Sequence, residues 1–456
     1  MPSTEKQCKS RNLSHGKWIG LRSLAGRKTN AHKVRLPAGF VETKQRNGGD
    51  SIYNKRKMAF IGIDMHKDTH TAVVMDCWTN KLGEITFANR PSAYDKFMAD
   101  VKKLYGDLQP IFGLEDTRGF GRNFASYLLG HKYTVKHVNP AYTDAMRSSA
   151  PMSRKDDSYD AFCVARILRD MLATLPDEQH DDLFWTIRQL VKRRDSLIKG
   201  IIIAKNQLNA QLTYVYPSYK QYFCDVDTKT AMYFWEKYPH PKHLKDVQPE
   251  ALLEELRQLH RGMTVKKVQE IISLSERNSP EEKDYQNERD LVIRSLVREL
   301  KFRKQENEDI DRELERLIQL TGYKLHTMPG INLITAAGII SEIGNIKRFP
   351  NSDKLARFSG VAPVNFSSAG KGKDQRSRQG NRVLNAIFHF LAIQLVQVNP
   401  NGKARHPVFR EYFESKLKEG KTKPQALVCI TRRAVRIIYG MMRTKTEYKP
   451  FEKLVD

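Results

Sequence analysis

The first stretch of the chain carries no persistent hydrophobic period. Through residue 56 neither a helical nor a strand repeat holds, and Lys and Arg recur (Lys6, Lys9, Arg11, Lys17, Arg22, Arg27, Lys28, Lys33, Arg35) with hardly any acid. Such a segment buries too little apolar surface to order itself, so residues 1–56 are expected to form a basic, disordered arm. From Met58 the pattern changes. Ala59 to Ile63 is an unbroken apolar run that ends on Asp64, Thr69 to Met75 is a second β-rich run, and Gly83 to Ala88 a third. Pro110 to Leu114 is again apolar and ends on Glu115, and Thr134 to Val138 reads as a short strand before Asn139-Pro140. Helix-compatible segments fall at Ser92 to Tyr105, Phe120 to Leu129 and Lys155 to Leu168, the last with Ala161, Val164, Ala165 and Leu168 on its apolar side. Three consecutive strands followed by strand–helix alternation predict an α/β sheet of mixed direction over residues 57–175.

Beyond that region the period becomes helical. Ile187, Leu190, Val191, Leu197, Ile198, Ile201, Leu208 and Leu212 form one stripe over residues 181–212, and Leu296, Leu300, Ile310, Leu314 and Leu317 form another over residues 280–320. A more irregular aromatic stretch (Tyr214 to Tyr238) and a shorter helical one (Ala251 to Ser275) lie between them. Two long amphipathic helices pair with each other or with a second copy. Residues 176–322 therefore read as a helical bundle or antiparallel coiled coil, with an intramolecular hairpin and a dimer both open. The remainder, 323–456, is mainly helical. It has a small-residue helix at Leu333 to Ile343, a Gly- and Ser-rich loop from Val364 to Gly380, an apolar helix from Arg382 to Val398, and basic helices at the end.

Composition narrows the function classes. At roughly 150 residues per domain, 456 residues suggest about three units. The chain has 78 Lys and Arg against 52 Asp and Glu, a net charge of +26. That excess points to a polyanionic partner, because each Lys or Arg set against a phosphate releases a condensed counterion. No apolar run reaches the ~18 residues of a membrane span, and no apolar segment of a secretory signal follows the basic start. The five cysteines (Cys8, Cys77, Cys163, Cys224, Cys429) form no CxxC pair, which fits a reducing compartment. The expectation is a cytoplasmic nucleic-acid protein, without a membrane.

Four carboxylates stand where they could converge. Asp64 and Glu115 end strands, and strand-end acids of an α/β sheet project from one edge. Asp157 and Asp160 share a helix face at a spacing of three, although Asp156 and Asp160, at four, would as well. Carboxylates gathered at one edge repel one another unless a cation sits among them, and hard oxygen donors suit Mg²⁺ or Mn²⁺. Two such ions would clamp the attacking and leaving oxygens of a phosphodiester.

Several segments then carry a resemblance. Ile61-Gly-Ile-Asp-Met-His-Lys67, Gly113-Leu-Glu-Asp-Thr117, Asn139-Pro140 and Lys155-Asp-Asp-Ser-Tyr-Asp-Ala161 resemble the signature of the DEDD transposases of bacterial insertion sequences, the family numbered one-ten. Met328-Pro-Gly-Ile331, Glu342-Ile-Gly344, Phe358-Ser-Gly-Val-Ala-Pro363, Ser367-Ser368, Gly370-Lys371 and Gly380-Asn381 extend the match in order through the chain. The resemblance implies a RuvC-like, ribonuclease H fold catalytic domain whose metal ligands are Asp64, Glu115, Asp157 and Asp160, the family register demoting Asp156. It implies a C-terminal transposase domain with a nucleophilic serine, recombination through a covalent 5′-phosphoserine link, and a homo-oligomer with a composite site. It further implies a bridge-type guide RNA that pairs with donor and target DNA.

The loop Val361 to Lys373 contains no histidine, so a serine there lacks a local base and needs a metal nearby. Aligned on the family's serine–glycine–lysine pattern, the nucleophile is Ser368, with Ser367 second because Ala369 stands where a glycine is usual. Read from the residues alone, the same loop is a phosphate contact. Lys371, Lys373, Arg376 and Arg378 are candidate phosphate ligands, and Arg432, Arg433 and Arg436, with Tyr439, a candidate nucleic-acid face. Met328-Pro-Gly-Ile331 resembles a helix-hairpin-helix turn, or is an ordinary helix start. The expected activity is RNA-guided DNA transposition beside the bacterial nucleoid. The alternatives are a metal-dependent junction resolvase using water, and an inactivated transposase kept as a binding protein.

Overall fold

The computed structural model describes residues 54–116, 119–149, 156–178, 182–368, 371–375, 377 and 379–450, with only the backbone of 364–368 and 371–375. The basic arm up to Tyr53, Arg376 and Arg378 lie outside the described residues. The chain divides into two compact units at the Asp181–Asp182 boundary, each described separately below.

In the first unit, β1 (Met58–Met65), β2 (Thr69–Met75) and β3 (Lys81–Ala88) are followed by α1 (Tyr94–Tyr105), β4 (Gln109–Glu115), α2 (Arg122–Gly130), β5 (Thr134–His137), α3 (Pro140–Ser149) and α4 (Asp157–Met171). The five strands form one sheet in the order β3-β2-β1-β4-β5. β2 runs antiparallel to β1 and β3, while β1, β4 and β5 are mutually parallel. The mixed direction expected from the strand spacing is therefore present. β1 reads as a continuous apolar run because it is buried on both faces. Ala59, Ile61 and Ile63 face a core of Phe87, Phe97, Phe112 and Phe124. Met58 and Phe60 face the opposite core, built with Val164 and Leu168 of α4.

Among its described residues, the named elements of the second unit are helices apart from one hairpin. α5 (Asp182–Val215) leads to α6 (Lys229–Lys237), α7 (Pro249–Leu259), α8 (Val265–Arg277) and α9 (Gln286–Thr321). Then come α10 (Leu333–Ile343), α11 (Ser352–Phe358), β6 (Val364–Ser368), β7 (Lys371–Gln375), α12 (Arg382–Val396), α13 (Pro407–Lys418) and α14 (Lys423–Thr444). The two long stripes meet each other: α5 and α9 pair within the chain. At one end Leu208 and Leu212 of α5 and Ile293, Val297 and Leu300 of α9 close over Tyr216, Tyr222, Phe234 and Trp235. At the other end Ile187, Leu314, Leu317 and Ile318 enter the same core as Ile339, Leu384, Phe388, Ile430 and Ile438. The long helices thus share a core with the C-terminal helices, and residues 182–456 form one unit instead of the two expected with a division at 322. An amphipathic stripe shows that a helix has a partner but not where along the chain that partner ends.

The segment expected as a Gly- and Ser-rich loop is instead an antiparallel β-hairpin. Ser367 pairs with Gly372 and Ser368 with Lys371. Its base is pinned by a close approach: a Cβ on Gly380 would lie 2.6 Å from the Gly360 nitrogen and 2.7 Å from its Cα. The Asn381 amide donates to the Phe358 carbonyl at 2.7 Å, and its side chain both caps α12 and donates to Glu342. In the 328–331 turn, Met328 and Ile331 are buried, and Asn332, rather than Pro329, caps α10.

Candidate metal centre

Asp64 and Glu115 are direct neighbours. In the parallel pairing of β1 and β4, Asp64 is opposite Glu115 and Gly62 is opposite Gly113. Residues two apart on a strand share a face, so the glycine pair and the carboxylate pair lie on the same side of the sheet. α4 crosses that side. A Cβ on Gly62 would stand 2.1 Å from the Ala165 nitrogen and 2.3 Å from the Ala161 carbonyl oxygen. The absent side chain lets the backbone of α4 rest on the strand itself.

This contact brings the first turn of α4 to the strand ends. Asp156 is the N-cap: its side chain accepts the Tyr159 amide at 2.7 Å. That role leaves Asp157 and Asp160 in the first turn, where the helix macrodipole favours anions. Ser158 ties this turn to β3, donating to Glu84 and accepting from Lys81 at 3.1 Å. The Asp116 carboxylate accepts the amides of Gly119, Phe120 and Gly121, so it organises the loop before α2.

The electrostatics show how close the acids stand. Burial, the largest cause, together with Asp160, Glu115 and Asp157, lifts the Asp64 carboxyl to about 6 against the pull of His66. Burial likewise raises Glu115; a hydrogen bond from Thr143 lowers it and the Asp160 charge adds to the rise. Three side chains here were not singled out from the sequence. Thr143 and Arg147 come from α3, a helix that was not anticipated. The Arg147 guanidinium reaches Asp160 at 2.6 Å and Asp144 at 2.8 Å. His66 places Nδ1 3.5 Å from Asp64 and 4.0 Å from Asp157. One ligand atom from each of Asp64, His66 and Asp157 lies within 4.8 Å of the other two. A helix-start signal, Asn139 before Pro140, was available for α3: the Asn139 side chain accepts the Ala141 amide at 2.9 Å.

These residues fit a divalent cation. The Asp64 and Asp157 carboxylates converge with His66, the charges of Glu115 and Asp160 also act on Asp64, and one more positive charge there would relieve both repulsion and desolvation. If the glycine contact holds the site together, Gly62→Ala should destabilise the protein by about 3 kcal/mol or more, since backbone meets backbone there. Gly113→Ala, whose Cβ would meet only the Leu168 and Val164 side chains at 3.2–3.3 Å, should cost about 1 kcal/mol. Urea unfolding of both variants checks the order. Equal costs would mean that the close approach of α4 does not set the geometry.

The other candidate residues are distributed over the second unit. Ser367, Ser368, Lys371 and Lys373 sit on the β6–β7 hairpin. On α14, Arg436 is exposed and Arg432 stands 4.0 Å from Asp353. Arg433 is half-buried with its guanidinium over the Tyr412 ring, 5.7 Å from the centroid. Tyr439 donates to the Phe349 and Pro350 carbonyls, so its hydroxyl holds the fold. Among the described residues no helix is long and apolar enough to cross a membrane.

Comparison with known proteins shows the family that the chain resembles. A family model for DEDD transposases of IS110 elements, described as Transposase, matches residues 61–217, and one described as Transposase IS116/IS110/IS902 family matches residues 322–407. An uncharacterized protein of insertion element IS116 from Streptomyces clavuligerus is 23% identical over 404 residues, 86% of this chain and 96% of the relative. An uncharacterized protein of insertion element IS110 from Streptomyces coelicolor is 25% identical over 67% of this chain and 75% of its own length. The pilin gene-inverting protein of Moraxella lacunata is 21% identical over 87% of this chain and 98% of the relative.

Proposed function

The chain belongs to the IS110 family of insertion-sequence transposases, enzymes that recombine DNA, and on that premise we propose that it cuts and rejoins DNA strands through a serine nucleophile assisted by a divalent-metal centre. The first unit is a RuvC-like catalytic domain in this reading. Asp64, Glu115, Asp157 and Asp160 hold Mg²⁺ or Mn²⁺. The observation that carries the reading is the register of Asp64 against Glu115 under the close-packed α4.

Held by these carboxylates, a divalent ion would supply Lewis-acid stabilisation of the charge that develops on the phosphate and the departing oxygen. The protein's own residues prepare the site. Arg147 fixes Asp160, Thr143 bonds Glu115, and the Asp156 cap sets the first turn of α4. Ser368, with Ser367 as the second choice, attacks the phosphodiester. The serine oxygen bonds to phosphorus as the bond from phosphorus to the departing strand's oxygen breaks, the hydroxyl proton passes to that oxygen so that the strand leaves as an alcohol, and the serine–phosphate ester conserves the bond energy for rejoining. Lys371, Lys373, Arg376, Arg378, Arg432, Arg433 and Arg436 supply phosphate contacts of the kind that position nucleic acid without reading its sequence. An element-encoded guide RNA selects donor and target DNA. The protein works as a dimer or tetramer, beside the nucleoid in the bacterial cytoplasm.

A strand-exchange assay with donor DNA, target DNA and RNA co-purified with the protein tests this reading. The expected result is recombinant product plus a covalent protein–DNA adduct, both requiring a divalent ion. The two sources of failure separate cleanly. Nicked product with no adduct would establish the water-dependent resolvase instead. Product formed without RNA would remove the guide from the mechanism.

A further inference from the structure

We propose that His66 is a nitrogen ligand of the ion held by the carboxylates and gives the centre a preference for Mn²⁺ over Mg²⁺. The inference rests on the metal reading above and goes beyond it in ligand set and metal choice. His66 lies just past the end of β1, two residues after Asp64. Its turn is fixed from several sides. The His66 amide donates to the Thr69 carbonyl at 3.2 Å, and the Asn89 amide to the Asp68 carbonyl at 2.9 Å. The Asn89 side chain donates to the Lys67 carbonyl at 3.0 Å. The imidazole is therefore carried by a braced turn.

Its distances suit a shared ion better than direct contact. Nδ1 stands 3.5 Å from the Asp64 oxygen and 4.0 Å from the Asp157 oxygen. A hydrogen bond of this type is shorter, at roughly 2.7–3.2 Å. Ligand atoms at ~2.1 Å from a six-coordinate ion are separated by about 3.0 Å when adjacent and about 4.2 Å when opposite. The 4.0 Å separation is close to the opposite spacing, and the 3.5 Å one lies about 0.5 Å outside the adjacent spacing, a gap that a small rotation of the half-exposed imidazole closes. The carboxylates also divide by partner: Asp160 takes the Arg147 guanidinium, whereas Asp64 and Asp157 have the imidazole beside them. About half of the His66 side chain is exposed, so Nδ1 can meet an incoming ion without rearrangement of the core. Imidazole is a poor donor to Mg²⁺ and a good one to first-row transition metals, while carboxylates accept both. Of the two hard ions that carboxylates suit, Mg²⁺ and Mn²⁺, only Mn²⁺ is a first-row transition metal and so the one that gains from an added nitrogen donor.

The test is Mn²⁺ binding to the full-length, chelator-stripped protein, followed by electron paramagnetic resonance. Protein labelled with ¹⁵N-histidine should show coupling between bound Mn²⁺ and one histidine nitrogen. In His66→Asn that coupling should vanish and Mn²⁺ affinity fall on the order of tenfold or more, while Mg²⁺ affinity, read by competition, changes less than about twofold. Circular dichroism and Tm of the variant should match wild type. Mn²⁺ binding that is lost in Asp64→Asn but shows no histidine coupling would overturn the His66 assignment and leave the carboxylate centre standing. So would coupling that persists in His66→Asn, or equal losses for both metals. No Mn²⁺ binding, or binding indifferent to Asp64→Asn, would overturn the metal reading beneath it.

Discussion

Replacing Asp64 by Asn is expected to lower both strand cleavage and strand joining by at least about 10³-fold while leaving the chain folded. Asn keeps the size of the side chain and removes the charge that a divalent ion requires. Asp64 is the carboxylate most hemmed in by others, with Asp160, Glu115 and Asp157 all raising its proton affinity after burial has done so. The same fact predicts an opposite change in stability. The folded-state carboxyl titrates at about 6 against an ordinary value of 3.8, so in metal-free protein the folded state prefers the neutral form. Ionised Asp64 then opposes folding. The opposition is absent below about pH 3.8, grows up to about pH 6, and is complete above it. In a chelator at pH 7.5, Asp64→Asn should therefore melt a few degrees above wild type, and the two should converge in acid. Added Mg²⁺ should raise the Tm of wild type alone. A variant that loses stability at pH 7.5 would show that the carboxylate holds the fold rather than the ion.

Ser368→Ala should abolish the covalent protein–DNA adduct, a loss on the order of 10³-fold or more in strand exchange, with RNA and DNA binding intact. The residues from Val361 to Gly380 include no histidine to serve as a base. A serine hydroxyl in that segment is a weak nucleophile without a metal or another activating group. Ser368 ends β6 at the tip of the hairpin, opposite Lys371, and Ser367 is one position further in, opposite Gly372. The pair of single variants therefore decides the assignment. Ser367→Ala should keep the adduct; if it loses the adduct and Ser368→Ala keeps it, the nucleophile is Ser367. Adduct formation in both would place the ester on another residue. Gel mobility of the denatured protein–DNA product, with mass spectrometry of the attached peptide, reads all of these outcomes.

The regular elements of the first unit were largely legible in the sequence. β2 spans Thr69–Met75 as its apolar run indicated, and β1 and β4 carry their acids where the runs end. α3 is weakly marked in the sequence for a physical reason. Thr143 is its single buried residue, and its apolar positions Tyr142, Ala145 and Met146 cover barely one turn, too little to establish a helical period. That helix carries Arg147, and the partner of Asp160 stayed hidden with it. The hairpin holding the candidate serines resembles a loop in sequence because Gly, Ser and Lys are frequent in it and only Val364 and Phe366 alternate with polar residues, too short a pattern to mark a strand. The backbones of Gly360 and Gly380 also approach closely there, a contact that residue type alone does not announce.

Strand runs, helical stripes, the four acids and the basic excess are properties of neighbouring residues, and local pattern settled them. Two further features needed the fold before they could be placed. Asp156, Asp157 and Asp160 fit one helix face about equally by spacing. In the structure Asp156 caps α4, its carboxylate accepting the Tyr159 amide, while Asp157 and Asp160 lie in the first turn. The stripes on α5 and α9 were equally compatible with a second copy, and the chain pairs them internally. Bringing Asp64 beside Glu115, fifty-one positions apart in the chain, depends on the register of two parallel strands, and bringing α4 to them depends on Gly62 having no side chain. Long-range register and backbone clearance arise only when the whole sheet packs, which is why candidate acids can be picked out along the chain and their geometry cannot.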